Sequence, residues 1–564
     1  MICLRSTTSN VREPQNRQSR VHYSRFHSTI HRLGFSMGVK RWLLVAWGAF
    51  MIAVYAATVR APAMGLYHDD GVYVVTAKAL AEGHGYRLIS LPDEIPQTKY
   101  PILYPLGLSL IWRVAPSFPD NVLYLKLLGL AAAIVWLWFV DRSLAYQTGR
   151  PKLARGIALL TAASPSVVFF STIVLAETLF AALAWGGLWM LTRCERESAT
   201  GPRLVWASLF CAGAYHTRTV GFTLIAAGVM GLAIKKKFRA AIVFGSVSGG
   251  LALPWLLWTW SQAGVPALYT YYTSLPYRDW NVLFGFHVPQ KLAIVGWNAL
   301  FLLVEPGRLM GLYSATLWPL LALIGVLIAI GFLVSALRGI SVVHVFAAMY
   351  VGTLLLWAWP PARFLLPVYP LLLLYAALGG LLILGRITQP RLRTGIATTA
   401  IVLASFAAGW GSGALARKAV AKGRGCPGVP CARGWQDFLL VMTWVEKNTP
   451  PGAILMGTQD PMLYLYTGRK AVRAFNPDPA ILHYSTDPQR EPFGSPERLI
   501  DRMVESGANN LVLTRREVTL EDTFLWRQFL ALRSARPALL EPEMIVGSPD
   551  FGVYRIEREG LVRP

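Results

Sequence analysis

Two adjacent carboxylates are the residues of this sequence best suited to chemistry. Asp69 and Asp70 lie in the run from His68 to Tyr73, between an apolar stretch and a helical one. Adjacent carboxylates at the end of an apolar segment suit a general base or a metal ligand. The same position also suits a helix N-cap whose acidic neighbour is favoured by the helix dipole. The pattern alone leaves capping and catalysis open.

Three basic residues could bind an anion near these carboxylates. Lys99 follows in the same loop, Arg218 lies in the short turn His216–Thr219, and Arg363 lies in the run Trp359–Phe364. Arginines that converge on one face fit a phosphate or a diphosphate, because a guanidinium holds such a group with a fork of donors. The alternative is that these side chains snorkel to lipid headgroups, as basic residues at a membrane boundary commonly do.

One further carboxylate, Glu177, stands at the start of an apolar stretch. Ionisable groups at or within a membrane are costly and are usually functional. The alternative for Glu177 is the solvated first turn of a helix. Its position therefore adds a third acidic candidate without deciding its role.

The chain that positions these residues has the composition of a membrane protein. It has 564 residues, of which 54% are apolar and only 15% charged, and its formal net charge is +24. Soluble domains carry about 25% charged residues. A wholly soluble, disordered or nucleic-acid-binding protein is therefore excluded, and the expected partner of the surface is a lipid bilayer rather than a nucleic acid.

Eleven apolar stretches are candidates for membrane spans, each of which needs about 20 apolar residues. We therefore predict an α-helical polytopic membrane protein with about 11 transmembrane helices. Two of the stretches, 204–216 and 219–234, are short and would need to be packed inside the bundle or flanked by a thinned bilayer. The predicted spans are 42–59, 123–140, 156–174, 178–192, 204–216, 219–234, 240–260, 311–334, 342–359, 364–385 and 395–411.

The distribution of basic residues predicts the orientation in the membrane. With a cytoplasmic N-terminus, the inner segments hold 23 basic and 4 acidic residues, and the outer parts of residues 1–416 hold 11 basic and 9 acidic ones. Cytoplasmic loops carry an excess of Lys and Arg. Residues 1–41 then form a basic cytoplasmic arm, and the loop 60–122 lies outside with both carboxylates. The short apolar stretch 101–116 is interpreted as an interfacial or re-entrant helix.

The composition changes near Arg417. Residues 417–564 hold 20 basic and 17 acidic residues, against 34 and 13 in residues 1–416. Alternating helix and strand patterns predict a small extracytoplasmic α/β domain over 417–564. The predicted elements are helices over 435–447, 496–506 and 519–534, a helical turn over 462–466, strands over 453–457, 470–475 and 510–514, and a strand pair over 544–556. Cys426 and Cys431 lie in this tail, where an exported position permits a disulfide. A C-x4-C pair without a second pair or a His is a weak metal signal, so we predict the disulfide.

The order of these motifs resembles that of GT-C glycosyltransferases. The closest types are the dolichyl-phosphate-mannose–protein mannosyltransferases and their bacterial relatives, the aminoarabinose transferases, which form a glycosyltransferase family 39-like group. Tyr100 departs from the family pattern, which has a Pro at this position after the Lys. The likeness covers residues 42–411, which would form a GT-C-like transmembrane domain. The stretches that carry it are His68–Tyr73, Thr76–Gly85, Lys99–Pro105, Ala176–Phe180 and Arg363–Pro370, with Tyr466–Arg469 in the tail.

The resemblance implies a sugar transfer from a polyprenyl-phosphate-linked donor at the outer face of the cytoplasmic membrane. Asp69 matches the family's catalytic carboxylate, with the expected role of general base toward the acceptor nucleophile and with inversion at the anomeric carbon. Asp70 and Glu177 are the further catalytic candidates. The acceptor would be a glycan, a lipid or a protein of the cell envelope.

The resemblance also implies roles for the surrounding side chains. Lys99, Arg218 and Arg363 would stabilise the leaving lipid phosphate. His68 and Tyr73, which flank the carboxylates, would contact the substrate. No cofactor is implied, and a divalent metal is left open but is not demanded.

Two other classes of function stay open. A polytopic transporter or a lipid flippase would also use intramembrane charges, but it should bury ionisable groups in the middle of spans, whereas here most lie at the outer boundary. A non-enzymatic envelope scaffold with an adhesive tail would leave the carboxylates of the first loop and Arg218 unexplained.

Overall fold

The computed structural model of this chain describes most of the sequence. Residues 1–36 of the predicted basic arm lie outside the described residues, and so do both cysteines of the predicted disulfide, Cys426 and Cys431. The described residues are 37–262, 264–273, 288–357, 359–423, 435–476, 484, 496–514 and 520–561.

Helices make up most of the described residues between 37 and 422. An α-helix satisfies its backbone hydrogen bonds internally, which an apolar segment in a bilayer must do. The helices are α1 Met37–Val59, α2 His68–Ala81, α3 Leu103–Val114, α4 Val122–Thr148, α5 Pro151–Ala163, α6 Pro165–Ser171, α7 Glu177–Arg196, α8 Gly201–Thr217, α9 Phe222–Ile234, α10 Phe238–Ser261, α11 Val288–Arg308, α12 Trp318–Leu337, α13 Val342–Leu355, α14 Tyr369–Leu384 and α15 Pro390–Lys422.

Among the described residues, five helices are long and apolar enough to cross a membrane, and α5 with α6 makes a sixth if the pair counts as one span. The axes of α5 and α6 differ by 67° at the break between them. The chain is therefore a multi-pass membrane protein, as predicted, and the total of eleven spans stays a prediction. The five helices are Val122–Thr148, Phe238–Ser261, Ala315–Leu337, Arg363–Leu384 and Pro390–Lys422.

The clearest difference from the predicted elements is helix α11. It covers 21 residues in a part of the chain where the sequence analysis places no span. Lys291, Glu305 and Arg308 interrupt its apolar sequence, so a search for uncharged stretches misses it. Glu305 and Arg308 neutralise each other, because the guanidinium Nη1 lies 2.9 Å from the carboxylate Oε1.

Helices α12 and α14 pack closely through glycines. A Cβ atom at Gly331 would overlap the carbonyl oxygen of Tyr375, and one at Gly379 would overlap that of Leu327. Small residues let two backbones approach in this way inside a membrane, where packing rather than water drives helix association. This contact requires glycine at both positions.

The tail contains the helices and strands that its sequence predicts, in the predicted order. Its five strands form one sheet in the order β2-β1-β3-β5-β4, in which β1 is parallel to β2 and β3, and β5 is antiparallel to β3 and β4. The extracytoplasmic position of the tail and the division into domains stay predictions. The elements are α16 Trp435–Asn448, β1 Ile454–Gly457, α17 Asp460–Thr467, β2 Lys470–Arg473, α18 Pro496–Ser506, β3 Asn510–Thr514, α19 Leu520–Ala535, β4 Leu540–Val546 and β5 Ser548–Ile556.

The tail packs directly on the first loop. The amide of Ala471 in β2 donates a hydrogen bond to the carbonyl oxygen of Ser90 over 2.9 Å. Apolar side chains of α2, among them Val72 and Val75, belong to the same buried cluster as Met456 of β1. The loop that carries the candidate carboxylates and the sheet therefore share one core.

Candidate active site

The first turn of α2 carries both predicted carboxylates. Asp70 is buried, and its Oδ2 accepts hydrogen bonds from the amides of Gly65 at 2.8 Å and Leu66 at 3.0 Å. Its Oδ1 accepts one from the amide of Gly71 at 2.7 Å. Both oxygens of Asp70 thus bind backbone and hold the turn that leads into the helix.

Asp69 points to a different set of partners. Its Oδ1 accepts a short hydrogen bond from the hydroxyl of Tyr100, and its Oδ2 forms a short ion pair with the guanidinium of Arg363. Burial by itself would raise the pKa of Asp69, but the positive charges of Arg363 and Lys99 outweigh that effect and hold the pKa well below its ordinary value. Asp69 is therefore a carboxylate that stays ionised at neutral pH.

Glu177 extends this pair into a chain of alternating charges. Its Oε1 forms a short ion pair with Arg218 and lies 3.7 Å from Nε of Arg363. The Glu177 side chain is 1% exposed, and its Oε2 is buried without a hydrogen-bond partner among the described residues. The structure thus brings together Asp69, Arg363, Glu177 and Arg218, which the sequence predicted as site residues from four separate stretches.

An aromatic ring supports the two arginines. The guanidinium carbons of Arg218 and Arg363 lie 5.2 and 4.9 Å from the ring centroid of Phe364. A ring face attracts cations and leaves their edge donors available for oxygen ligands. The pair can therefore accept a phosphate by exchanging one carboxylate oxygen for a phosphate oxygen.

Lys99, the third predicted phosphate ligand, packs on tyrosine rings. Its Nζ lies 3.6 Å from the ring centroid of Tyr271 and 5.4 Å from that of Tyr100. Lys99 is buried, and its charge lowers the pKa of Asp69. It therefore acts on the same carboxylate as Arg363, from another side.

The two predicted substrate-binding residues, His68 and Tyr73, are buried in this structure. Tyr73 packs on the rings of Tyr100 and Tyr104, with centroid distances of 4.9 and 5.1 Å. The Nε2 atom of His68 lies 2.8 Å from Oδ1 of Asp460 in the tail. Their contact with substrate stays a prediction.

Asp460 and Arg473, both in the tail, are site neighbours that sequence reasoning missed. Both are fully buried, and the guanidinium of Arg473 lies 4.4 Å from the ring centroid of Tyr271. Asp460 follows β1 and Arg473 ends β2, at the carboxyl ends of two parallel strands, where ligand sites of open α/β sheets occur. The sequence analysis does not predict that these strands are parallel.

The described residues do not fit a resident metal ion. Within the parts of the chain that the structure describes, no group of three or more His, Cys, Asp and Glu side chains is placed to hold one. Asp69 and Glu177 are instead neutralised by Arg363 and Arg218.

Comparison with known proteins supports the fold. No family model matches the sequence, and no curated protein matches it. The structure is similar to that of the oligosaccharyltransferase of Archaeoglobus fulgidus solved in complex with zinc and sulfate, with a TM-score of 0.50 and 12% identity over 83% of this chain and 67% of that one. At such identity the likeness concerns the fold, which is GT-C-like, as predicted.

Two further solved structures are similar to this chain. AglB of Archaeoglobus fulgidus, in complex with an inhibitory peptide and a dolichol-phosphate, has a TM-score of 0.48 and 12% identity over 85% of this chain and 70% of that one. ArnT of Cupriavidus metallidurans in the apo state has a TM-score of 0.42 and 12% identity over 93% of this chain and 100% of that one.

Proposed function

We propose that this protein is a membrane glycosyltransferase that moves a sugar from a polyprenyl-phosphate-linked donor to an acceptor of the cell envelope. The observation that carries the proposal is the alternating row of Asp69, Arg363, Glu177 and Arg218. In this row Asp69, from the first loop of a GT-C-like fold, pairs with Arg363, and Glu177 links Arg363 to Arg218. Asp69 can accept a proton and the two arginines can bind a phosphate.

The donor phosphate would bind Arg363 and Arg218. In the present arrangement Asp69 and Glu177 already neutralise these guanidinium groups. A phosphate that arrives competes for the same donors and takes over part of the pairing from Asp69. Because Arg363 contributes to keeping the pKa of Asp69 low, this exchange makes Asp69 a better base at the moment when the donor is bound.

The transfer step would be a single displacement. The acceptor oxygen attacks the anomeric carbon while the bond between that carbon and the phosphate oxygen breaks, and the electron pair of that bond stays on the phosphate. Asp69 takes the proton of the attacking group, and the two arginines stabilise the charge on the leaving lipid phosphate. One displacement inverts the anomeric configuration.

A lipid-linked donor fits the surroundings of the site. Arg218 follows α8, and Arg363 begins the apolar candidate span Arg363–Leu384. A phosphate carried on a membrane lipid reaches this position without leaving the bilayer surface. The resemblance of the first loop to the mannosyltransferase and aminoarabinose transferase family supports the same donor class.

The test is the substitution Asp69→Asn in the purified full-length protein. The assay supplies synthetic undecaprenyl-phosphate-linked hexoses and pentoses and measures released undecaprenyl phosphate. Asn keeps the size of Asp and one oxygen that can accept from Tyr100 or Arg363, so we expect a folded protein whose rate is lower by about 10²–10⁴-fold. Asp120→Asn, an exposed carboxylate in the same loop, is the matched control and should keep the wild-type rate.

Two outcomes would count against this proposal. Near-normal release by Asp69→Asn would show that Asp69 is not the base, and its contacts with Tyr100 and Arg363 would then be structural; an N-cap role is excluded, because the helix begins at His68 with Tyr67 as its N-cap. Movement of intact donor across vesicle membranes without cleavage would favour the transporter alternative. Mass spectrometry of envelope glycans and of the polyprenyl-phosphate pool, in cells with and without the protein, would identify the sugar and the acceptor.

A further inference from the structure

A buried carboxylate of the tail binds the residue next to Asp69. Oδ1 of Asp460 lies 2.8 Å from Nε2 of His68, and the hydroxyl of Tyr272 donates to Oδ2 over 2.7 Å. Asp460 is 0% exposed, Tyr272 2% and His68 7%. One carboxylate thus joins three segments that are far apart in sequence: the first loop, the segment Ala267–Tyr272 and the tail.

These hydrogen bonds fix the orientation and the tautomer of the imidazole. An ionised carboxylate only accepts, so Nε2 of His68 is the donor and Nδ1 carries the lone pair. Burial and the charge of Arg473 lower the pKa of His68 to about 4, and the charge of Asp460 opposes this shift. The rings of Tyr271 and Tyr272, with centroids 5.5 and 5.7 Å from the imidazole centroid, leave it little freedom to rotate.

Consecutive side chains at the start of α2 are held in three directions. His68 binds the tail, Asp69 binds Arg363 and Tyr100, and Asp70 binds the preceding backbone. The direction of the Asp69 side chain therefore depends on the contacts of its two neighbours in the chain, His68 and Asp70, which hold the backbone on either side of it. Removal of either contact lets this turn shift.

The close approach of the tail is built into both partners. A Cβ atom at Gly71 of α2 would lie 2.9 Å from Cβ of Pro461, the residue after Asp460. Asp460 follows the carboxyl end of β1, and Arg473 is the last residue of β2. The carboxyl edge of the parallel strands, where open α/β sheets bind ligands, therefore faces the first turn of α2.

We infer that Asp460 is a positioning residue of the proposed site: together with Tyr272 it fixes the imidazole of His68, and through it the turn that aims Asp69. This inference rests on the proposed glycosyl transfer. The tail would then contribute to turnover rather than to donor binding, because the proposed ligands of the donor phosphate, Arg218 and Arg363, belong to the membrane part of the chain.

The test is Asp460→Asn in the full-length protein, with the undecaprenyl-phosphate-linked sugar that the wild type consumes. The substitution replaces one carboxylate oxygen, which accepts hydrogen bonds, by an amide nitrogen, which donates them. That nitrogen then faces another donor, either Nε2 of His68 or the hydroxyl of Tyr272. We expect kcat to fall by about 10- to 100-fold, the size of effect that a misplaced catalytic group produces. The donor KM and the affinity for undecaprenyl phosphate should not change. Glu505→Gln, an exposed carboxylate of the same tail, is the matched control.

A double-mutant cycle tests whether Asp460 acts through His68. If it does, His68→Asn and Asp460→Asn lose the same turnover, and the double variant loses no more than either single one. If the two single losses of turnover multiply in the double variant, the inference is overturned. A kcat of Asp460→Asn within about two-fold of wild type would overturn it as well. Loss of undecaprenyl phosphate affinity together with thermal stability would also overturn it, because the role would then be structural.

The outcomes separate this inference from the proposed function. An inactive Asp69→Asn with a normal Asp460→Asn refutes only the positioning role. An active Asp69→Asn refutes the assignment of Asp69 as the base, whatever Asp460→Asn does, and a wild type that releases no undecaprenyl phosphate from any of these donors refutes the proposed transfer itself.

Discussion

Acidification from pH 7 to pH 5 should loosen the contact between the first loop and the tail. Docked His68 has a pKa of about 4, lowered first by burial and then by Arg473 and Lys99, against the opposing charge of Asp460. A His in water has a pKa of about 6.5. Between these two values the open form binds more protons than the docked one, so the stability of docking falls as the pH falls.

The size of the effect follows from the two pKa values. With about 6.5 for the open form and about 4 for the docked form, the docking free energy falls by about 2 kcal/mol at pH 5. That change corresponds to an increase of about 30-fold in the population of the open form. The loss approaches about 3 kcal/mol below pH 4, where both forms are protonated.

Hydrogen exchange measured by mass spectrometry can detect this change. Peptides that cover 68–81 and 454–467 should lose protection at pH 5 relative to pH 7, after correction for the intrinsic exchange rates. His68→Gln, which cannot titrate, is the control and should show the same protection at both pH values. Equal protection of the wild type at both pH values would refute the reasoning, and so would a pH dependence that persists in His68→Gln.

Three further predictions concern the membrane part. Arg218→Lys keeps the charge but loses the fork of donors, so the donor KM should rise in the undecaprenyl-phosphate assay more than kcat falls, and an unchanged KM would contradict a phosphate ligand. Gly379→Val should lower the thermal stability in detergent by about 1–3 kcal/mol through the overlap with the facing helix, whereas Gly380→Val, which has open space at its Cβ, should not. Reporter fusions at Lys236 should read cytoplasmic and fusions after Arg417 extracytoplasmic, and a cytoplasmic reading after Arg417 would refute the predicted orientation.

The sequence predicted those parts of the fold that depend on local pattern. In the tail, helix Pro496–Ser506 and strand Asn510–Thr514 begin and end where the sequence placed them. The helix is amphipathic, and the strand is a short apolar run that is buried along its length. Both are bounded by Pro, Gly or Asn, which mark the ends of elements. Helix α11 was missed because its charges, Glu305 and Arg308, are paired with each other, and a hydropathy pattern does not record pairing.

The charged residues of the candidate site were predictable from the sequence, but the ion pairs and hydrogen bonds between them were not. Asp69, Glu177, Arg218 and Arg363 stand out as ionisable residues at the ends of apolar stretches, where burial is costly. Their alternation in space depends on how helices pack, and no local pattern encodes that. Asp460 gave no comparable signal, because a carboxylate in a soluble-type tail is ordinary until a buried His is found against it.

The hydrogen bond between His68 and Asp460 has a consequence for the biogenesis of this protein. The two residues are 392 positions apart. At a synthesis rate of about 5–20 residues per second, the ribosome needs on the order of 20 to 80 s to reach Asp460 after His68 has been made. During that interval the first loop has no tail partner, and the turn that carries Asp69 is held from one side only. The nascent chain therefore acquires a complete site only after the membrane part has been made and the tail has docked.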